Sequence, residues 1–93
     1  MKIFKYELSV IDRQHISLPY GAKVLSLQVQ RNKPYIWVLV NPHSTFFTKH
    51  TFITVGTGHE ALIDDTEFLG TYQLSEGALV FHVFKENVFK ENL

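Results

Sequence analysis

Alternation with a period of two runs through most of this chain, and it confines the fold to β structure. Between Lys2 and Val10 the bulky residues Phe4, Tyr6, Leu8 and Val10 fall on one face, with Lys5, Glu7 and Ser9 on the other. That is the pattern of a half-buried strand. Gln14 to Leu18 repeats it through Ile16 and Leu18, and Lys23 to Gln30 sets Leu25, Leu27 and Val29 against Ser26, Gln28 and Gln30. Pro34 to Val40 is apolar on both faces, which suits the middle of a sheet or a strand held between two layers.

Turn chemistry separates these runs. Leu18-Pro19-Tyr20-Gly21 reads as a type I turn, with proline second and glycine fourth. Arg31-Asn32-Lys33 is a short polar turn, and Asn41-Pro42-His43-Ser44 breaks the chain before a long strand from Phe46 to Val55. Gly56 to Thr66 is the longest irregular stretch, with one candidate helical turn at Glu60-Ala61-Leu62-Ile63. Glu67–Leu74 and Ala78–Lys85 form a closing hairpin across Ser75-Glu76-Gly77. About seven short strands without a helical period predict an all-β fold, a single small β-sandwich or barrel-like domain over residues 1–87. Its core is expected to hold Trp37, Leu39, Leu27 and Phe81, with Trp37→Ala costing about 3–5 kcal/mol. Val83-Phe84-Lys85-Glu86-Asn87 is repeated at once as Val88-Phe89-Lys90-Glu91-Asn92, and residues 88–93 are expected to be a C-terminal tail.

Composition narrows the class of function. Ninety-three residues, 45% of them hydrophobic, suffice for one core and argue against disorder. Lysine plus arginine equals aspartate plus glutamate at nine each, so no global basic field exists to hold duplex nucleic acid. The chain has no cysteine, which removes disulfides and thiolate metal sites and suits a reducing cytoplasm. No stretch has the length of a membrane span or the apolar run of a signal peptide. No membrane partner is expected.

Catalytic chemistry finds little support. The serines fall at strand or turn positions with no positioned base, and Asp64-Asp65 near Glu67 reads as a solvated loop. His43, His50 and His59 have no zinc-like spacing. No enzyme, metal or cofactor is expected. The better candidate is the corner Gly56-Thr57-Gly58-His59, where two glycines free the backbone and several N–H groups can face an anion. Thr57 adds a hydroxyl and His59 a donor that can become cationic. Arg13 and Arg31, the only arginines, fall in connections where a guanidinium can grip phosphate. Trp37 shares a strand face with Tyr35 and can stack on a base, and His82 shares the face of Val80 and Phe84. Gly58→Val is expected to block close backbone approach by a ligand.

Several of these pieces recur in order: Asp12-Arg13-Gln14, Leu18-Pro19-Tyr20-Gly21-Ala22, Trp37, Gly56-Thr57-Gly58-His59, Leu69-Gly70-Thr71 and Leu79-Val80-Phe81-His82-Val83-Phe84. In this the chain resembles a family of small phage-encoded proteins of unknown function. The resemblance covers nearly the whole chain and transfers no catalytic residue. It implies a viral origin and work in the cytoplasm of an infected bacterium. The resulting expectation is a non-enzymatic protein that sequesters a small anionic molecule, such as a nucleotide immune signal, and forms a homo-oligomer covering its sheet edges. The alternatives are a protein-interaction module that inhibits a host factor, or a minor virion component.

Overall fold

A computed structural model of the chain describes residues 1–87. Seven strands follow in order: β1 (Lys2–Glu7), β2 (Arg13–Pro19), β3 (Lys23–Gln30), β4 (Lys33–Val40), β5 (Phe47–Gly56), β6 (Thr66–Leu74) and β7 (Leu79–Glu86). They make two antiparallel sheets, β1-β4-β3 and β2-β5-β7-β6, packed as a small β-sandwich and not closed into a barrel. The second copy of the Val-Phe-Lys-Glu-Asn repeat lies outside the described residues.

The core lies between the sheets and is built from alternate residues. Ile36, Val38 and Val40 of β4, with Leu27 of β3, face Leu18, Phe52, Tyr72, Leu74 and Val83 of the other sheet. Leu8 joins them from just beyond β1, its N–H bonded to the Pro34 carbonyl at 2.9 Å. The chain then crosses between the sheets. The Gln14 side chain bridges that crossing, accepting from the Ser9 N–H at 2.9 Å and donating to the Ser9 carbonyl at 2.7 Å.

Four expectations need correction. Trp37 and Leu39 are half-buried on the outer face of β4, and Phe81 is half-buried at the core's margin; of the expected set only Leu27 is a buried core residue. The first strand ends at Glu7, leaving Phe4 and Val10 exposed, and Leu25 is exposed beside the bulge between Val24 and Ser26. Gly21 (φ 79°) sits third in a turn closed by the Ala22 N–H on the Pro19 carbonyl, 3.0 Å. A positive φ at that place is a type II feature, so the turn begins one residue later than its proline suggests. No helical turn forms at Glu60–Ile63. The Arg31-Asn32 turn has positive φ at both residues (51° and 62°), the left-handed pair that matches strand twist in a tight hairpin.

Candidate functional site

The glycine corner leaves the end of β5 as a tight turn. The His59 N–H donates to the Gly56 carbonyl at 3.0 Å, and Gly58 (φ 86°) takes the left-handed place. The Thr57 N–H donates to the Val80 carbonyl at 3.1 Å. Two corner N–H groups are therefore already bonded within the protein, and the corner offers an anion fewer backbone donors than its sequence suggests. A Cβ on Gly58 would meet nothing within 4 Å. Gly58→Val is thus expected to strain the backbone, costing about 1–2 kcal/mol in urea denaturation, while clashing with no neighbouring protein atom. Gly56 matters for another reason: the His59 ring folds back on it, and a Cβ there would lie 3.1 Å from Nδ1.

Strand pairing brings the two glycine–threonine pieces together on one histidine. Thr71 stands opposite His82 and Gly56 opposite Phe81. His82 Nε2 lies 2.7 Å from Thr57 Oγ1 and Nδ1 lies 2.9 Å from Thr71 Oγ1. Thr57 Oγ1 in turn donates to the Val80 carbonyl at 3.4 Å. That chain of donors assigns the proton of a neutral ring to Nε2, with Nδ1 accepting from Thr71. His82 pins the corner to the sheet.

Four clefts surround the corner, and Gly56 and His59 line each of them. The largest, about 390 Å³, lies between the start of β2, the end of β5 and the loop after it. Its apolar wall is Ile53, Val55 and Leu62; its charged groups are Asp12, Arg13 and Glu60. A second cleft, about 230 Å³, runs along Val55, Ala61, His82 and Phe84. The covering loop is tied down at its far end, where Asn87 donates from its N–H to the Asp65 carbonyl (3.1 Å) and from Nδ2 to the Asp65 carboxylate (2.9 Å).

Arg13 reaches this site but is engaged, its Nη1 lying 2.7 Å from Glu86 Oε2. Both partners are substantially exposed, at 54% and 32%, so the pair is one a stronger anion can displace. Gly56, Thr57, Gly58, His59, Arg13 and His82 thus gather at one end of the four-stranded sheet. Arg31 and Trp37 do not join them. Arg31 lies in the β3–β4 turn, and Trp37 packs edge-on to Tyr35 (6.0 Å between ring centres) on the outer face of the other sheet.

Asp12, Glu60, Leu62 and Glu86 are site residues that sequence reasoning missed. Only Asp12 carried a signal, standing beside Arg13 in a recurrent motif. Among the described residues no group of three or more histidine, aspartate or glutamate side chains is placed to hold a metal ion. No helix there is long and apolar enough to cross a membrane.

The chain belongs to the family described as Domain of unknown function (DUF7352), whose model matches residues 1–93. Comparison with curated proteins and with solved structures found no match.

Proposed function

We propose that this domain is a non-enzymatic binding protein that takes a small anionic ligand of the nucleotide class at the Gly56–Leu62 corner. The observation that carries the reading is the convergence of four clefts on His59, with Arg13 in the largest of them. A nucleotide matches the mixed lining. Its anionic group suits Arg13 and His59, its ring suits Ile53, Val55 and Leu62, and its hydroxyl or amino donors suit Asp12 and Glu60. Binding is favoured over turnover because a catalytic base is oriented by a third group, and the His59 ring has no such hydrogen bond among the described residues. The resemblance to phage-encoded proteins narrows the ligand to a nucleotide immune signal, sequestered in the host cytoplasm by a homo-oligomer. Sedimentation is expected to show more than a monomer, since β1, β3, β2 and β6 all stand at sheet edges.

A thermal-shift screen with cyclic and linear nucleotides, followed by calorimetric titration, tests the reading. Arg13→Ala is expected to weaken binding by about tenfold or more, the worth of a charge-assisted hydrogen bond. Glu86→Gln frees the guanidinium and should tighten binding. His59→Ala should weaken it as well, by removing a ring donor from every cleft at the corner. Gly56→Ala should mimic His59→Ala by displacing the ring. Unchanged affinity in Arg13→Ala and His59→Ala together would remove this corner from function. The protein-interaction reading would then lead, favoured by the outer face of β4, where Tyr35, Trp37 and Leu39 stay half-exposed beside Ile3.

A further inference from the structure

Trp37 and Arg31 stand apart from the corner, and both belong to the three-stranded sheet or its β3–β4 turn. β4 is the central strand there. Ile36 and Val38 turn inward to the core, so Tyr35 and Trp37 share the outer face, their ring centres 6.0 Å apart. Among the described residues no further layer covers that face, and β7, which leads to the chain beyond residue 87, belongs to the other sheet. Register gives each ring polar flanks. Trp37 stands between Lys5 of β1 and Ser26 of β3, and Tyr35 between Glu7 and Gln28. The Lys5 ammonium reaches across β4, lying 4.5 Å from the Tyr35 ring centre and donating to Gln30 Oε1 at 3.0 Å. Lys33 and Lys23 mark the two ends of the face, opposite Gln30 and Leu39. Three lysines thus stand against one glutamate, Glu7. The other carboxylates nearby are Glu67, on the β6 strand that meets β3 where Gly70 packs on Leu27, and Glu76, beside the Ser75 N–H that donates to Asn32 Oδ1. Both belong to the other sheet and its turn.

We propose that this face binds single-stranded nucleic acid, with successive bases stacked on Trp37 and Tyr35 and the lysines on the phosphates. Residues two apart on a strand present their rings about 6–7 Å apart, and an aromatic ring accepts any base through its π face. Ser26, Gln28 and Gln30 form a row of hydroxyl and amide groups beside the rings, which base edges can satisfy. An apolar protein surface would bury that row unpaired. A second copy laid face to face would set lysines against lysines. A duplex asks for a longer basic surface than a chain of zero net charge supplies, whereas a single strand asks for ring faces and a few cations. The local excess of positive charge is small, so stacking carries most of the affinity. Lys5 is held only by exposed contacts to Gln30 and the Tyr35 ring, which a phosphate can replace with a stronger charged one. The face and the corner lie on different sheets, so each can be tested without the other.

Trp37 is the chain's only tryptophan, so its own emission reports the contact. Titrating the full chain with an oligothymidylate of about twelve nucleotides is expected to quench that emission to saturation. Affinity should fall about twentyfold between about 0.05 M and 0.2 M salt, the slope of roughly three phosphates, and Lys5→Gln and Lys33→Gln should each flatten the slope by about 0.7. Tyr35→Leu should weaken binding at least about fivefold, as should Trp37→Leu followed by anisotropy of a labelled strand. These side chains lie outside the core, and unchanged circular dichroism verifies the fold. Arg13→Ala and His59→Ala should leave quenching unchanged. Absence of binding or quenching, equal affinity for a duplex, or indifference to the aromatic and lysine variants would each overturn the proposal. Loss of binding in Arg13→Ala would put the strand at the corner and overturn it too. Equal quenching by polyglutamate or by a neutral oligosaccharide would assign the face to an acidic protein or a sugar instead.

Discussion

Phe52→Ala is expected to cost about 3–5 kcal/mol, while Trp37→Ala costs only about 1–2 kcal/mol, although tryptophan is the larger residue. Phe52 is fully buried at the centre of β5, facing the opposite sheet. Its removal leaves a cavity that surrounding strands, held by ladders on both sides, cannot close. Trp37 loses an edge contact to Tyr35 on a surface that water already wets in part. For a domain of this size each kcal/mol moves the melting temperature by about 4–8 °C, so Phe52→Ala should fall by more than 10 °C. Thermal denaturation of the two variants side by side decides it. Equal losses would put the Trp37 ring inside the sandwich and reverse the assignment of faces in β4.

That assignment shows where sequence reasoning reached its limit. The period of two in Pro34–Val40 is plain, but both of its faces are apolar. The bulkier set, Tyr35, Trp37 and Leu39, suggests the core by size alone. The structure buries the other set. What decides the matter is the neighbouring strand, because Phe4 and Tyr6 stand opposite Val38 and Ile36 while Lys5 and Glu7 stand opposite Trp37 and Tyr35. Cross-strand pairs share a face, and which strands pair is not written in any local window. The all-β class was legible because it needs only the period and the turn residues. Strand ends were legible to within a residue or two, except at β1, where Leu8 keeps the apolar rhythm after the chain has left the strand.

The candidate site divides in the same way. Gly56-Thr57-Gly58-His59 and Leu69-Gly70-Thr71 were visible as unusual local chemistry. Their meeting on His82 depends on β6 and β7 pairing in one register, with a bulge between Phe68 and Gly70. Glu60 and Leu62 lie in an irregular stretch with no periodicity to place them. Glu86 reveals its role only when β7 brings it to Arg13, 73 residues away in the sequence but 2.7 Å away in space. Backbone donors read from two glycines were overcounted for a simple reason: a tight turn uses N–H groups to hold itself together.

Stability is expected to fall on acidification below about pH 6.5 through His50, and His50→Leu should remove that component. His50 is 7% exposed on the inner face of β5, and its Nδ1 has no hydrogen-bond partner among the described residues. Burial, and secondarily the Lys85 ammonium, holds its pKa below the ordinary value of 6.5. The unfolded chain therefore binds a proton at a pH where the folded ring resists it. With the folded pKa depressed, the full contribution is present above the unfolded pKa and is lost as pH falls toward the folded one. One such group gives a slope of at most about 1.4 kcal/mol per pH unit. The other histidines and the carboxylates add slopes of their own, so the informative quantity is the wild-type curve minus the His50→Leu curve. That difference should be flat near pH 8, where an apolar residue in place of an unpaired polar atom costs little. Between pH 6.5 and 5 it should grow steadily in favour of the variant. Urea denaturation of both proteins across this range provides the check, and parallel curves would mean that the folded ring takes up its proton as easily as the unfolded one.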